Sequence, residues 1–157
     1  MSFKMDRVHV WAAEVKDEPG GVAAKLSRLD EAGADLEYVY TQRLPDKPGH
    51  GLLCVAPIVG TEQVKAAKAT GMHEVQDPIV MRVEGDNTAG LAHRLKHAWA
   101  AAGINLHGSM LTVIGTKFVG FVTFDSVADA NRAARPVVHW RLIFTMPDLF
   151  QVHRLAD

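Results

Sequence analysis

The feature that most constrains this chain is an internal repeat. Shifting the sequence by 70 residues lays Val10 and Glu14 on Val80 and Glu84, and Asp17-Glu18-Pro19-Gly20 on Asn87-Thr88-Ala89-Gly90. The same shift lays Ala32-Gly33-Ala34-Asp35-Leu36 on Ala102-Gly103-Ile104-Asn105-Leu106. Three ordered matches at one offset identify a duplicated unit, and a duplicated unit dictates the architecture. Further on, Lys65-Ala66-Ala67-Lys68 meets Arg132-Ala133-Ala134-Arg135 at an offset of 67. The extra residues of the first repeat fall within Leu44-Pro45-Asp46-Lys47-Pro48-Gly49, where turn chemistry tolerates a change in length.

Each repeat reads as strand, helix, strand, strand, helix, strand. In the first, Arg7 to Val15 reads as a strand and Asp17 as the cap of a helix, with Pro19 near its first turn. Val22, Leu26, Leu29 and Ala32 recur at helical spacing, and Gly33 stands where a left-handed C-terminal residue is expected. Leu36 to Gln42 and Gly51 to Ile58 form a hairpin, Thr61 to Thr70 a helix, and Met72 to Val75 a short last strand. In the second, Ile79 to Val83 is a strand and Gly90 to Ala102 a helix with Ala92, Leu95, Trp99 and Ala102 inward. Leu106 to Gly115 and Lys117 to Phe124 form a hairpin, Val127 to Arg135 a helix, and His139 to Phe144 the last strand. The expected class is α+β, with two tandem βαββαβ ferredoxin-like units over residues 1–77 and 78–145, antiparallel sheets, and a tail at 146–157. Small units leave sheet edges and faces uncovered, so a homodimer or higher homo-oligomer is expected.

Composition narrows the partners. With 17 Lys+Arg against 18 Asp+Glu, the formal net charge of -1 gives no electrostatic footprint for nucleic acid. No apolar run is long enough to span a bilayer, and no signal peptide is evident, so a cytoplasmic location is the default. The one cysteine, Cys54, lies in Leu52-Leu53-Cys54-Val55 and reads as a buried small hydrophobe. His93 and His97 stand four apart but fall opposite Leu95 and Trp99, which favours a solvated face over a metal site. Trp11, Trp99 and Trp140 read as core or interface anchors. No acid–base pair, metal cluster or cofactor motif appears, so catalytic, metal and cofactor assignments are none.

The succession of strand, Asp/Asn-x-x-Gly turn, apolar helix and Ala-Gly-x-Asp/Asn-Leu resembles the ACT domain, and it does so twice. That resemblance implies a regulatory module rather than an enzyme. Its ligand would be an amino acid or related metabolite held at an interface between ACT domains, with an enzyme as a further partner. In the family's serine-binding members, the asparagine of the turn and the one after the Ala-Gly segment contact the ligand. Those positions are Asn87 and Asn105 in the second repeat, and Asp17 and Asp35 in the first. Gly85 and Val15 stand where such a member has a histidine, and Ala89 replaces the motif proline.

The turn also has physics of its own. A helix N-terminus offers unpaired N–H groups to a carboxylate, and glycine lets a ligand approach the backbone. Candidate ligand residues are therefore Asn87, Thr88, Ala89, Gly90 and Asn105, with Asp17, Pro19, Gly20 and Asp35 as counterparts. The neutral second-repeat set suits a carboxylate better than two aspartates do. Two readings follow: a sensor of a small metabolite, or a ligand-free assembly module that partners an enzyme or regulator.

Overall fold

The structure, a computed structural model, describes residues 3–143, with side chains described through residue 135. Its elements are β1 (Phe3–Val8), β2 (Trp11–Lys16), α1 (Gly21–Glu31), β3 (Tyr38–Arg43), β4 (His50–Ala56) and α2 (Gly60–Ala69). There follow β5 (His73–Glu74), β6 (Ile79–Asp86), α3 (Leu91–Ala101), β7 (Gly108–Ile114), β8 (Lys117–Phe124) and α4 (Val127–Ile143). The strands form two four-stranded sheets, ordered β3-β4-β2-β5 and β1-β6-β8-β7. The expected α+β class of paired ferredoxin-like units with antiparallel sheets is what the chain adopts.

The chain divides into two compact units. One is continuous, Arg7–Val80; the other is composite, joining residues 3–6 to the described residues from Met81 to Ile143. The composite unit therefore draws its fourth strand from outside 78–145. The expected last strand over His139 to Phe144 is not formed: α4 runs on through Ile143, and β1 fills that sheet position beside β6. Pro136 did not stop the helix. The expected single strand Arg7 to Val15 is likewise two strands, β1 and β2, which belong to different sheets. Phe144, the tail at 146–157 and the Trp140 side chain lie outside what the structure describes.

In the continuous unit, β2 pairs antiparallel with β4 from Trp11 opposite Val55 to Lys16 opposite His50, and β4 pairs with β3. Alternation puts Trp11, Ala13, Val15, Leu53 and Val55 on one face, where they meet Leu29 of α1 and Ala67 of α2 in a buried core. Val22 and Leu26 pack against that core, as their spacing predicts. In the composite unit, Leu91, Leu95 and Trp99 of α3 are buried with Phe118, Val122 and Phe124 of β8. Ala92 and Ala102 are exposed rather than inward, because α3 turns Leu91 into the core at the first position.

The repeat is legible in the helix ends. Gly33, at φ 73, and Gly103, at φ 67, each follow the last helical turn in the left-handed region. Gly33 N–H donates to the Asp30 carbonyl at 2.8 Å, and Ala34 N–H to the Leu29 carbonyl at 3.0 Å. Gly103 and Ile104 donate to Ala100 and Trp99 at 2.9 Å each. Both helices thus close with the same Schellman motif. The length difference sits where expected: residues 44–49 connect β3 to β4, whereas Gly115-Thr116 alone connects β7 to β8.

Candidate functional site

Neither Asp17 nor Asn87 caps its helix. The capping residues are Gly20, at φ 89, and Gly90, at φ 76, without a side-chain hydrogen bond. A left-handed residue next to the helix is a conformation that glycine adopts without steric cost. That sets the start of α1 three residues later than an Asp17 cap would, with Pro19 before the cap instead of in the first turn. Asp17 and Asn87 are thereby left three residues upstream. Their backbones are pinned to the neighbouring hairpins: Asp17 N–H donates to the Gly49 carbonyl at 3.0 Å, and Asn87 N–H to the Thr116 carbonyl at 2.8 Å.

The two turns then diverge in charge. In the continuous unit, Asp17 Oδ2 lies 2.8 Å from Nε of Arg43 on β3, so its carboxylate is countered, though loosely, since the Arg43 side chain is 83% exposed. In the composite unit the turn is neutral and carries an arginine. Arg94, in the first turn of α3, donates from Nη1 to the Ala89 carbonyl at 2.7 Å and from Nη2 to Thr88 Oγ1 at 2.5 Å. A Cβ at Gly90 would stand 3.0 Å from Arg94 Nη1, and the φ of 76 favours glycine there in any case. Arg94 was missed in the sequence, although a signal was available: the 70-residue shift lays it on Ala24, so only one repeat has a cation four residues after the turn glycine.

A single unit does not bring the candidate residues together. Asn87–Gly90 precedes α3 and Asn105 follows it; eleven helical residues separate them by roughly 16 Å along the axis. The same holds for Asp17–Gly20 and Asp35 across α1. Asn105 and Asp35 are both exposed. Asn105 is therefore not beside the turn of its own unit. It lies before the start of β7, while the Asn87 turn is bonded to Thr116, just beyond the end of β7.

Other groups have plain surroundings. Cys54 is buried, and burial pushes its thiol up. Tyr38 is pushed up to about 12, chiefly by burial and then by Cys54 and Tyr40. His93 and His97 are exposed with rings stacked at 5.9 Å, and no group of three metal-ligating side chains gathers among the described residues. No helix among the described residues is long and apolar enough to cross a membrane.

No family model and no curated protein matches the sequence. Solved structures do. The chain is similar to protein BT0572 from Bacteroides thetaiotaomicron, with a TM-score of 0.68 and 11% identity, over 83% of this chain and 88% of that one. It is similar to the regulatory subunit of aspartate kinase from Thermus thermophilus, at TM-score 0.57 and 16% identity, over 87% and 97% of the two chains. The regulatory subunit of aspartate kinase from Thermus flavus gives 0.56 and 18%, over 87% and 95%. At such identities the likeness concerns the fold. Two sheets of one strand order, two matched helix pairs and a duplicated glycine turn give this chain two ferredoxin-like α+β units in tandem, the fold it shares with those structures.

Proposed function

We propose that the protein is a regulatory module that binds an amino acid or a related small metabolite between two copies of the chain. The Asn87–Gly90 turn of one copy would face Asn105 of the other. The observation that carries this reading is the placement of the two candidate groups at opposite ends of β7. That strand is a sheet edge, and its Met110, Leu111, Val113 and Ile114 are exposed, Ile114 by 72%. A long, apolar edge without charge or proline lacks the usual protections against pairing. Two such edges paired antiparallel about a two-fold axis would bring the start of one β7 to the end of the other. Asn105 of each copy then meets the Asn87 turn of its partner, which makes two equivalent sites.

The chemistry of the turn supports a ligand carboxylate. The N–H groups at the start of α3, the Thr88 hydroxyl and the Arg94 guanidinium concentrate positive potential where no side-chain carboxylate belongs to the turn. The Asn105 amide both donates and accepts, so it suits an ammonium or a second polar group. In this reading the chain does no chemistry of its own, and a partner enzyme reads its state. Similarity to regulatory subunits of aspartate kinase is consistent with such a role.

The test is a thermal-stability screen of the full chain against the twenty amino acids, followed by calorimetry with any that stabilise it. A ligand that binds only the folded state raises its apparent stability. The Asn105→Ala variant should bind roughly ten- to a hundredfold more weakly, as expected for one lost hydrogen bond to a charged group. Unchanged affinity would remove Asn105 from the site. Silence from every amino acid would favour the second reading, a ligand-free assembly module built on the same β7 edge.

A further inference from the structure

The helix-free face of the composite sheet carries a cavity of about 470 Å³, whose lining comes as near the turn of the proposed amino-acid site as Gly85 and Lys117 but includes none of Asn87–Gly90. Its wall draws on all four strands: Lys4 from β1, Arg82 and Glu84 from β6, Lys117 and Val119 from β8, and Ile114 from β7. These side chains share one face by alternation. Phe124 meets Trp99 of α3 and Val83 lies under Gly120, so even-numbered β8 residues and Val83 point to the helices. Phe3 joins them through its ring contact with Phe118. Lys4, Arg82, Glu84, Lys117 and Val119 therefore point the other way.

We propose that this cavity binds a small dianion, a dicarboxylate or a phosphate monoester, between Arg82, Lys4 and Lys117. Three cations line it, each with a carboxylate partner: Arg82 with Glu84, Lys4 with Asp6 and Lys117 with Asp86. Arg82 Nη2 lies 2.7 Å from Glu84 Oε2, and its side chain is 34% exposed, so the fork is held in place on the central strand. Lys4 is 2.6 Å from Asp6, and Lys117 is paired with Asp86; both lysine side chains are 66% exposed. Exposed pairs of this kind contribute little, so a dianion that engages both ammonium groups and the guanidinium at once displaces them at low cost. Val119 and Ile114 supply an apolar wall for the ligand's carbon frame, and the volume suits a metabolite.

The comparison between repeats argues that the arrangement is specific to this unit. The 70-residue shift lays Glu84 on Glu14 but Arg82 on Ala12. In the continuous unit Glu14 is answered, among the described residues, by Lys47, at 2.6 Å, and by His50. The sheet position that β1 fills with Lys4 is taken there by the two-residue β5.

The experiment is calorimetry of the full chain with inorganic phosphate and with succinate at fixed ionic strength, with chloride as the screening control. The expected result is saturable binding of at least one dianion, weakened tenfold or more in Arg82→Gln and in Lys117→Met and unchanged in Lys65→Met. Preference for phosphate or for succinate identifies which source the site takes. Should Arg82→Gln fail to fold, the exposed Lys117→Met and Lys4→Met carry the test. Absence of saturable binding by either dianion, or equal affinity in wild type and Lys117→Met, overturns the proposal. Asn105→Ala should keep its dianion affinity, so failure at the amino-acid turn and failure here are read separately; loss of dianion binding in that variant also overturns it.

Discussion

Trp99 and Ala133 tie the two helices of the composite unit together: the indole Nε1 donates to the Ala133 carbonyl at 3.2 Å, inside the core. The same ring meets Phe124 edge to face, with centroids 6.2 Å apart. One side chain therefore links α3, α4 and β8. Trp99→Ala should cost about 3–5 kcal/mol in denaturant unfolding, the usual range for removing a large buried aromatic. Trp99→Phe keeps most of the apolar volume but leaves the carbonyl without its indole donor, and should cost less than the alanine variant. Equal losses would mean that packing at this position matters less than the hydrogen bond.

Gly103 should resist substitution although the space around it is open. A Cβ there meets nothing within 4 Å, so the only penalty is the left-handed backbone itself. Gly103→Ala should destabilise by about 1–2 kcal/mol. Gly33→Ala, in the matching motif of the other unit, should lose a similar amount. A neutral Gly103→Ala would show that the cap relaxes away from its φ of 67.

The β7 edge should govern oligomeric state. Val113 is 45% exposed on that edge. A charge at this half-exposed edge position opposes strand pairing between copies. Val113→Lys should shift a dimer to a monomer in sedimentation while thermal unfolding remains cooperative. A dimer that persists in Val113→Lys would place the contact elsewhere.

Acid should loosen the Glu14 cluster in a defined direction. The hydrogen bond from Lys47 holds the Glu14 carboxyl below its ordinary 4.5, with the Lys47 and His50 charges adding to the effect. The folded value lies under the unfolded one, so this contribution is complete above about 4.5 and disappears as pH falls through the folded value. Carboxyl titration by NMR should give Glu14 a midpoint under 4.5, and Lys47→Met should move it upward. A midpoint unaffected by Lys47→Met would rule out that cause.

Cys54 should be slow toward disulfide reagents in the native protein. Burial raises the thiol, and the thiolate is the reactive form. Reaction should accelerate sharply in denaturant. Fast native labelling would mean that β4 opens locally.

The sequence exposed the features that repeat locally and hid those that depend on distant partners. Gly33 and Gly103, the stripe of Val22, Leu26 and Leu29, and the buried Cys54 follow from spacing and residue type. The helix entries were misread because Asp17 and Asn87 are good capping residues, yet Gly20 and Gly90 adopt the left-handed conformation nearer the helix. Periodicity does not tell which sheet a strand joins, so Phe3–Val8 merged with Trp11–Lys16 in one run and α4 appeared to end at Pro136. Within the candidate site the residue types were legible and their separation was not. A contact list matched by position omits the length of the helix between Asn87 and Asn105.

The place of β1 beside β6 bears on the order of assembly as the chain leaves the ribosome. Residues 7–80 emerge in succession and hold every strand of their own sheet, so they can close on themselves early. Phe3–Val8 emerges before all of them yet must wait for Ile79–Asp86 and the strands beyond. Bringing it home closes a loop of roughly seventy residues, an entropic cost that grows only slowly with length and that is reduced once the intervening unit has folded. Cutting the gene at the midpoint would leave the later half without an edge strand. A synthetic Phe3–Val8 peptide supplied in trans is then the natural complement to such a fragment.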